Sequence, residues 1–292
     1  MRSDTDTDTE TETKSYGRRY AIASAAGGIG ALLGMGFLTY RPDQSEADSS
    51  ADGIPDAKKR SAAFNDYITD VFGADQFDGL RTDRRELLID ARYVGESEIR
   101  PATKRRMEAL FHEHDIALHW LDYPQRYDHD WFRETYGYRV ERILWPRMSF
   151  YADMVEDRLK NVAVQVIVLP DTDEQLESVY ALHRGEDYEG ISMGNRCLVH
   201  ETRSPLSERM LILHEIAHLG LCHDEDPTNF GVMGPNQYEV DLTDEEWKKL
   251  RNRLDNVNDT TGFDVLFRQC VRAETRADLA QRLDNTATDI SR

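Results

Sequence analysis

Lysine is scarce in this chain. Of its 36 basic residues only Lys14, Lys58, Lys59, Lys104, Lys160, Lys248 and Lys249 are lysine, against 55 acidic residues, and the net charge is −19 over 292 residues. The basic residues form no stripe that would track a phosphate backbone, so nucleic acid is not expected as a partner. Cysteine is scarce as well. Cys197, Cys222 and Cys270 are too few for a disulfide framework, and their number is odd. No internal repeat occurs, and the one extended uncharged, apolar stretch runs from Ala21 to Leu38.

What is present begins with an address. Residues 2–15 are an acidic, Thr-rich run with no apolar residue, a composition that stays unfolded. Tyr16-Gly17-Arg18-Arg19-Tyr20 then leads into the Ala- and Gly-rich stretch. A basic pair ahead of a weakly apolar segment resembles a twin-arginine export signal, and the alternative is a membrane anchor of about spanning length. No cysteine follows that stretch before residue 197, which leaves lipid attachment unsupported. The expected location is extracellular or at the outer face of the cell membrane, with membrane contact only through this signal or anchor. Acidic excess with little lysine resembles proteins of extreme halophiles, where salt near 1 M cuts the screening length to about 3 Å and an acidic surface repels itself little.

Beyond a stretch rich in Asp, Ser and Ala that reads as linker from Arg41 to Arg60, apolar spacing predicts helices over 61–77, 101–114 and 148–160. Short β-rich runs predict strands over 85–90, 116–121 and 162–169, and one or two more over 189–202. Residues 122–146, dense in aromatics, read as a long irregular connection. A further helix is expected to start at the capping box Thr243-Asp244-Glu245-Glu246, and a terminal one over 262–284.

One stretch carries chemistry: Leu213-His214-Glu215-Ile216-Ala217-His218-Leu219-Gly220-Leu221-Cys222-His223-Asp224. Ser204-Pro205 opens a helix ahead of it, and Met210, Leu211, Ile212, Leu213, Ile216 and Ala217 make that helix apolar nearly all round. Histidines four apart share one helix face, so His214 and His218 can reach one ion. Gly220 is expected to stop the helix through a left-handed turn, and His223 to return a third ligand. Imidazole nitrogens suit Zn2+, and Glu215 beside the first ligand suits general-base work. The third ligand is assigned to His223, with Asp224 as the open alternative; Asp224 otherwise orients a ligand from behind. The other histidines read as ordinary: His112 and His114 on a solvated junction, and His119, His129, His183 and His200 without ligand-spaced partners.

Past His223, Gly231-Val232-Met233-Gly234-Pro235 forms a tight Gly/Pro loop around a methionine. With His214, Glu215, His218 and His223, this resembles the metzincin clan of zinc metalloproteases, whose motif is H-E-x-x-H-x-x-G-x-x-H followed by a methionine turn beneath the metal. The resemblance covers roughly Glu86 to Leu254, its specific part being residues 214–235. One residue is missing between His218 and Gly220 relative to that pattern. Tyr238 lies too far past Met233 for the family's metal-proximal tyrosine and reads as packing.

The resemblance implies an α+β fold: a small twisted mixed sheet, a backing helix, an active-site helix, the Met-turn and a C-terminal helix. It implies residues 1–45 as acidic start plus signal or anchor, 46–84 as linker or pro-like segment, 85–255 as catalytic domain and 256–292 as helical tail. It also implies a zinc endopeptidase that acts on protein or peptide through a metal-bound water with Glu215 as general base. An edge strand near Gly190–Gly194 would pair the substrate. No cysteine stands upstream of residue 197, so a thiol latch onto the metal is not expected. The rival readings are a three-histidine metal-dependent endoribonuclease and a non-catalytic surface protein that keeps zinc for stability.

Overall fold

β3 (Ala163–Leu169) is buried along its whole length, and its alternate side chains enter two different cores. Val164, Val166 and Val168 face one, while Ile167 and Leu169 face the other. A strand covered on both faces needs an unbroken apolar run, which is what VAVQVIVL supplies. The computed structural model describes residues 47–73, 77, 79–144, 150–172, 176–177, 190–223, 231–234 and 241–258. These all lie in one compact unit, residues 39–292; the export signal and the terminal helix expected over 262–284 fall outside them.

The other described strands are β1 (Arg85–Val94), β2 (Ile116–Tyr127), β4 (Gly190–Met193) and β5 (Arg196–His200). They form one five-stranded sheet in the order β2-β1-β3-β5-β4. The pairs β1–β2, β1–β3 and β3–β5 are parallel, and only β4 runs antiparallel, on β5. Parallel neighbours require crossovers, and α3 (Pro101–Glu113) is the crossover between β1 and β2. The small mixed sheet is as expected, but the class is α/β and not α+β, because the strands are mostly parallel and interleaved with helices, with β4–β5 the one antiparallel pair among the described strands.

One face of the sheet packs against α3 and α7 (Pro205–Ala217), through Met107, Leu110, Phe111, Ile212, Leu213 and Ile216. The same core continues into α8 (Asp244–Arg251) through Trp247 and Leu250, and into a 3-10 turn, Leu254–Asn258. The capping box of α8 is present in full: Thr243 Oγ1 accepts from Glu246 N while Glu246 Oε2 accepts from Thr243 N.

The opposite face is covered by two groups. α1 (Asp56–Lys59) leads into α2 (Ala62–Phe72), which packs Phe64, Ile68 and Phe72 over Leu88 and Leu121. α4 (His129–Tyr136), α5 (Val140–Leu144) and α6 (Phe150–Met154) bring Phe132, Tyr136, Ile143 and Phe150 over Ile167 and Leu198.

Two expectations change here. Residues 122–144 are no irregular connection: β2 runs on to Tyr127, and α4 and α5 follow. The segment read as linker is packed from residue 47 onward, with Asp52, Ile54 and Lys59 at most 1% exposed.

Candidate metal centre

Three features fix α7 in place. Ser204 Oγ accepts from Ser207 N at 3.0 Å and Pro205 takes the first turn, so its free N–H groups are capped as expected. Arg100, just ahead of α3, spans to it: Nη1 donates to Glu208 Oε1 at 2.8 Å and Nη2 to Thr202 O at 2.7 Å. Its apolar face, Ile212, Leu213 and Ile216, is buried against the sheet.

The helix ends at Ala217, and His218 is its C-cap. Leu219, Gly220 and Leu221 then turn back on Ile216 and Ala217 through N–H bonds of 2.9–3.0 Å. Gly220 is absent from the positive-φ glycines, so it does not supply the left-handed stop expected of it. Its missing side chain serves proximity instead, because a Cβ there would lie 3.0 Å from Arg253 Cβ and 3.3 Å from Leu250 Cα. The turn is fastened from the same side by Asn256 Nδ2, which donates to Leu219 O at 2.5 Å.

This turn brings His223 back to the helix. His214 Nε2 lies 3.0 Å from His223 Nε2 and 3.2 Å from His218 Nε2. Ligand atoms of the three all fall within 4.8 Å of one another, and among the described residues no other group of three His, Cys, Asp or Glu is so placed. The far nitrogens explain why the near ones converge. His214 Nδ1 is 2.9 Å from Val232 O, and His218 Nδ1 is 3.1 Å from Leu221 O. A carbonyl only accepts, so each Nδ1 carries the proton and donates it, leaving Nε2 as a bare lone pair. Converging lone pairs repel unless a cation sits among them. The donor set fits an ion that prefers nitrogen, and three imidazoles suit zinc.

Burial pushes the His214 imidazole down to about 4, and nearby His223 adds to the shift. Burial also lowers His218 well below the ordinary imidazole range, helped by both neighbouring histidines. Both are neutral near pH 7, the form that binds metal.

Val232 belongs to the Gly231–Gly234 turn, closed by Gly234 N donating to Gly231 O at 3.0 Å. Met233 is 1% exposed and lies in the same core as Leu213 and Ile216. The loop picked out in the sequence is therefore the one that holds His214 by its Nδ1. Asp224, Pro235, Tyr238 and His183 lie outside the described residues.

Glu215 points away from solvent, towards the sheet edge. It is 4% exposed, and burial pushes its carboxyl up to about 8, with the Ser192 hydroxyl pulling in the other direction. Ser192 Oγ touches Glu215 Oε2 and lies 2.9 Å from Glu215 O. At Gly190 a Cβ would stand 2.7 Å from Glu215 Oε1, so the absent side chain is where the carboxyl sits. Gly190 and Ser192 both belong to β4, which is the sheet edge, as the sequence led one to expect of that stretch. Their contact with Glu215 is not legible from sequence: two residues of a four-residue strand carry no motif.

Four other described histidines have partners away from this centre. His114 stacks on Trp247 at 4.2 Å, His119 Nε2 meets Glu86 Oε2 at 2.6 Å, His129 Nε2 meets Tyr138 Oη at 2.6 Å, and His200 stacks on Tyr138. Cys197 is free and buried, and Cys222, next to His223, is disulfide-bonded. Among the described residues no helix is long and apolar enough to cross a membrane. No family model, curated protein or solved structure matches the chain.

Proposed function

We propose that the protein is a zinc-dependent endopeptidase of metzincin type in which His214, His218 and His223 hold the ion and Glu215 is the general base. The observation that carries this is the convergence of the His214, His218 and His223 ring nitrogens at the end of a helix on which Glu215 abuts the edge strand of the sheet. A zinc ion held by these three histidines would supply Lewis acidity for a scissile carbonyl and for a water near pH 7.

The chain does the rest. Val232 O and Leu221 O hold the two helix imidazoles in the ligating tautomer. Glu215 accepts the proton of the attacking water at a carboxylate oxygen and delivers it to the departing peptide nitrogen. Burial alone holds this carboxyl protonated up to about pH 8, so the role requires the adjacent cation to favour the carboxylate. β4 offers its outer edge to an extended peptide, which would add to the sheet as a further strand beside Glu215.

Export fits the same reading. The bonded Cys222 suits an oxidising location. The basic pair and apolar segment of residues 16–38 supply the signal or anchor, outside the described residues.

The test is a pair of measurements on one variant. Glu215→Ala is expected to retain one equivalent of zinc by metal analysis and to lose cleavage of a casein or peptide library by a factor on the order of 10²–10⁴. Retained cleavage sinks the mechanism. Zinc binding by a wild type that cleaves no peptide points to the structural-zinc reading, and metal-dependent RNA cleavage points to the ribonuclease.

A further inference from the structure

The first packed segment, residues 47–60, has a spacing that neither its polar composition nor the metal centre accounts for. Asp48, Ser50, Asp52, Gly53, Asp56 and Lys59 stand at positions 1, 3, 5, 6, 9 and 12 of a twelve-residue stretch. Those are the positions at which an EF-hand-type loop places its oxygen ligands, its sharp-turn glycine and, at position 12, a bidentate glutamate. Here position 12 is a lysine.

The loop folds around that lysine. Lys59 is 1% exposed, and its Nζ lies 2.5 Å from Asp52 Oδ2 and 2.5 Å from Ser50 Oγ. Asp48 Oδ2 accepts from Gly53 N at 2.8 Å, and Asp56 accepts from both Ser49 N and Ser49 Oγ. Gly53 has φ +83°, and a Cβ there would lie 2.4 Å from Val257 Cγ1, so position 6 admits glycine alone. Asp52 also reaches out of the loop, accepting from Glu86 N at 2.7 Å at the start of β1. The segment thus pins the start of the central strand on one side and abuts the 3-10 turn that follows α8 on the other.

An isolated ion pair this deeply buried loses more hydration than a single contact returns. Here Ser50 Oγ, from position 3, supplies a second acceptor beside Asp52, and the ammonium stands where a metal ion would. We infer that residues 48–59 form a cation-binding loop of EF-hand spacing whose cation is the ammonium of Lys59, so that the loop is locked without calcium. The inference is independent of the peptidase reading, since none of these residues is among those proposed to bind metal or substrate.

The experiment uses the zinc-loaded full chain, with thermal unfolding and calorimetric titration against CaCl2. Wild type is expected to bind no calcium at this loop and to keep its Tm up to about 10 mM, above the range of weak extracellular calcium modules. Lys59→Glu restores the ligand at position 12. It is expected to melt lower than wild type without calcium and to rise by about 5 °C or more at saturating calcium. If Lys59→Glu does not fold alone, calcium-dependent refolding is the same result. Lys59→Gln, which removes the charge with less perturbation, is expected to gain Tm on calcium where wild type does not. Calcium binding by wild type that Lys59→Glu does not strengthen overturns the inference. So does the absence of any calcium response in both variants.

Discussion

His214 and His218 are held neutral by burial, with His223 lowering both, while Glu215 between them is held protonated by burial. In the metal-free chain these demands conflict. The folded His214 has its pKa depressed from 6.5 to about 4, so the unfolded chain binds more protons as pH falls across that window, and stability is lost on acidification. The folded Glu215 has its pKa raised from 4.5 to about 8, so stability is present below 4.5 and lost as pH rises towards 8. Metal-free Glu215→Gln escapes the second loss, because an amide never ionises. At pH 8 it is expected to exceed metal-free wild type in stability by something on the order of 3 kcal/mol, and near pH 4 to show little of that gain. Urea unfolding of both proteins at the two pH values checks this; equal stability at pH 8 would mean that Glu215 ionises freely in the fold. The residues in conflict were also the legible ones. A helix repeats its face every three to four residues, so the pair His214 and His218 declares its geometry within five positions. Lys59 declared nothing, because a polar stretch reads as linker when its charges are compensated by one another rather than by apolar burial.

Between elements, the decisive contact joins β4 to α7. Gly190 leaves the space that the Glu215 carboxyl fills, and what a methyl group would strike first is the far end of that side chain. Such a clash is relieved by moving the carboxyl instead of the backbone, so Gly190→Ala is expected to fold and to keep its zinc while the base is displaced. A misplacement near 1 Å costs catalysis about 10–100-fold, and that is the expected fall in kcat on the peptide cleaved by wild type. Activity within twofold of wild type, with zinc retained, would show that Glu215 need not sit against β4. This contact links positions 190 and 215 through tertiary folding alone, which is why no local pattern announced it. The same limit applies to residues 122–144. Phe132 and Tyr136 recur at helical spacing, but α4 and α5 span only eight and five residues, too short for periodicity to separate them from an aromatic-rich loop. β3 was legible because covering both faces leaves no alternation to confuse, and α7 because its cap, its proline and its apolar sides all agree.

At the scale of the molecule, the chain carries a net charge of −19, and most of its acidic residues among those described lie outside the buried core. Two ion pairs are fully enclosed, Lys59 with Asp52 at 2.5 Å and Arg92 with Asp90 at 3.0 Å. Salt reaches such pairs poorly. Repulsion among the exposed acids acts across separations that salt does screen. The Debye length falls from about 10 Å at 0.1 M to about 3 Å at 1 M, so concentrated salt removes most of the repulsion and leaves the core pairs intact. Raising KCl from 0.1 to about 2 M is accordingly expected to raise Tm, with most of the gain complete by about 1 M, where the screening length has dropped below the spacing of surface charges. A series run with zinc bound throughout separates this from metal loss, and replacing KCl by equimolar sucrose separates it from solvent exclusion. A Tm that stays flat or falls with KCl would show that the acidic surface is neutralised locally, by exposed pairs such as Arg81 with Asp83 and Lys248 with Glu245, and that the acidic excess is no adaptation to salt.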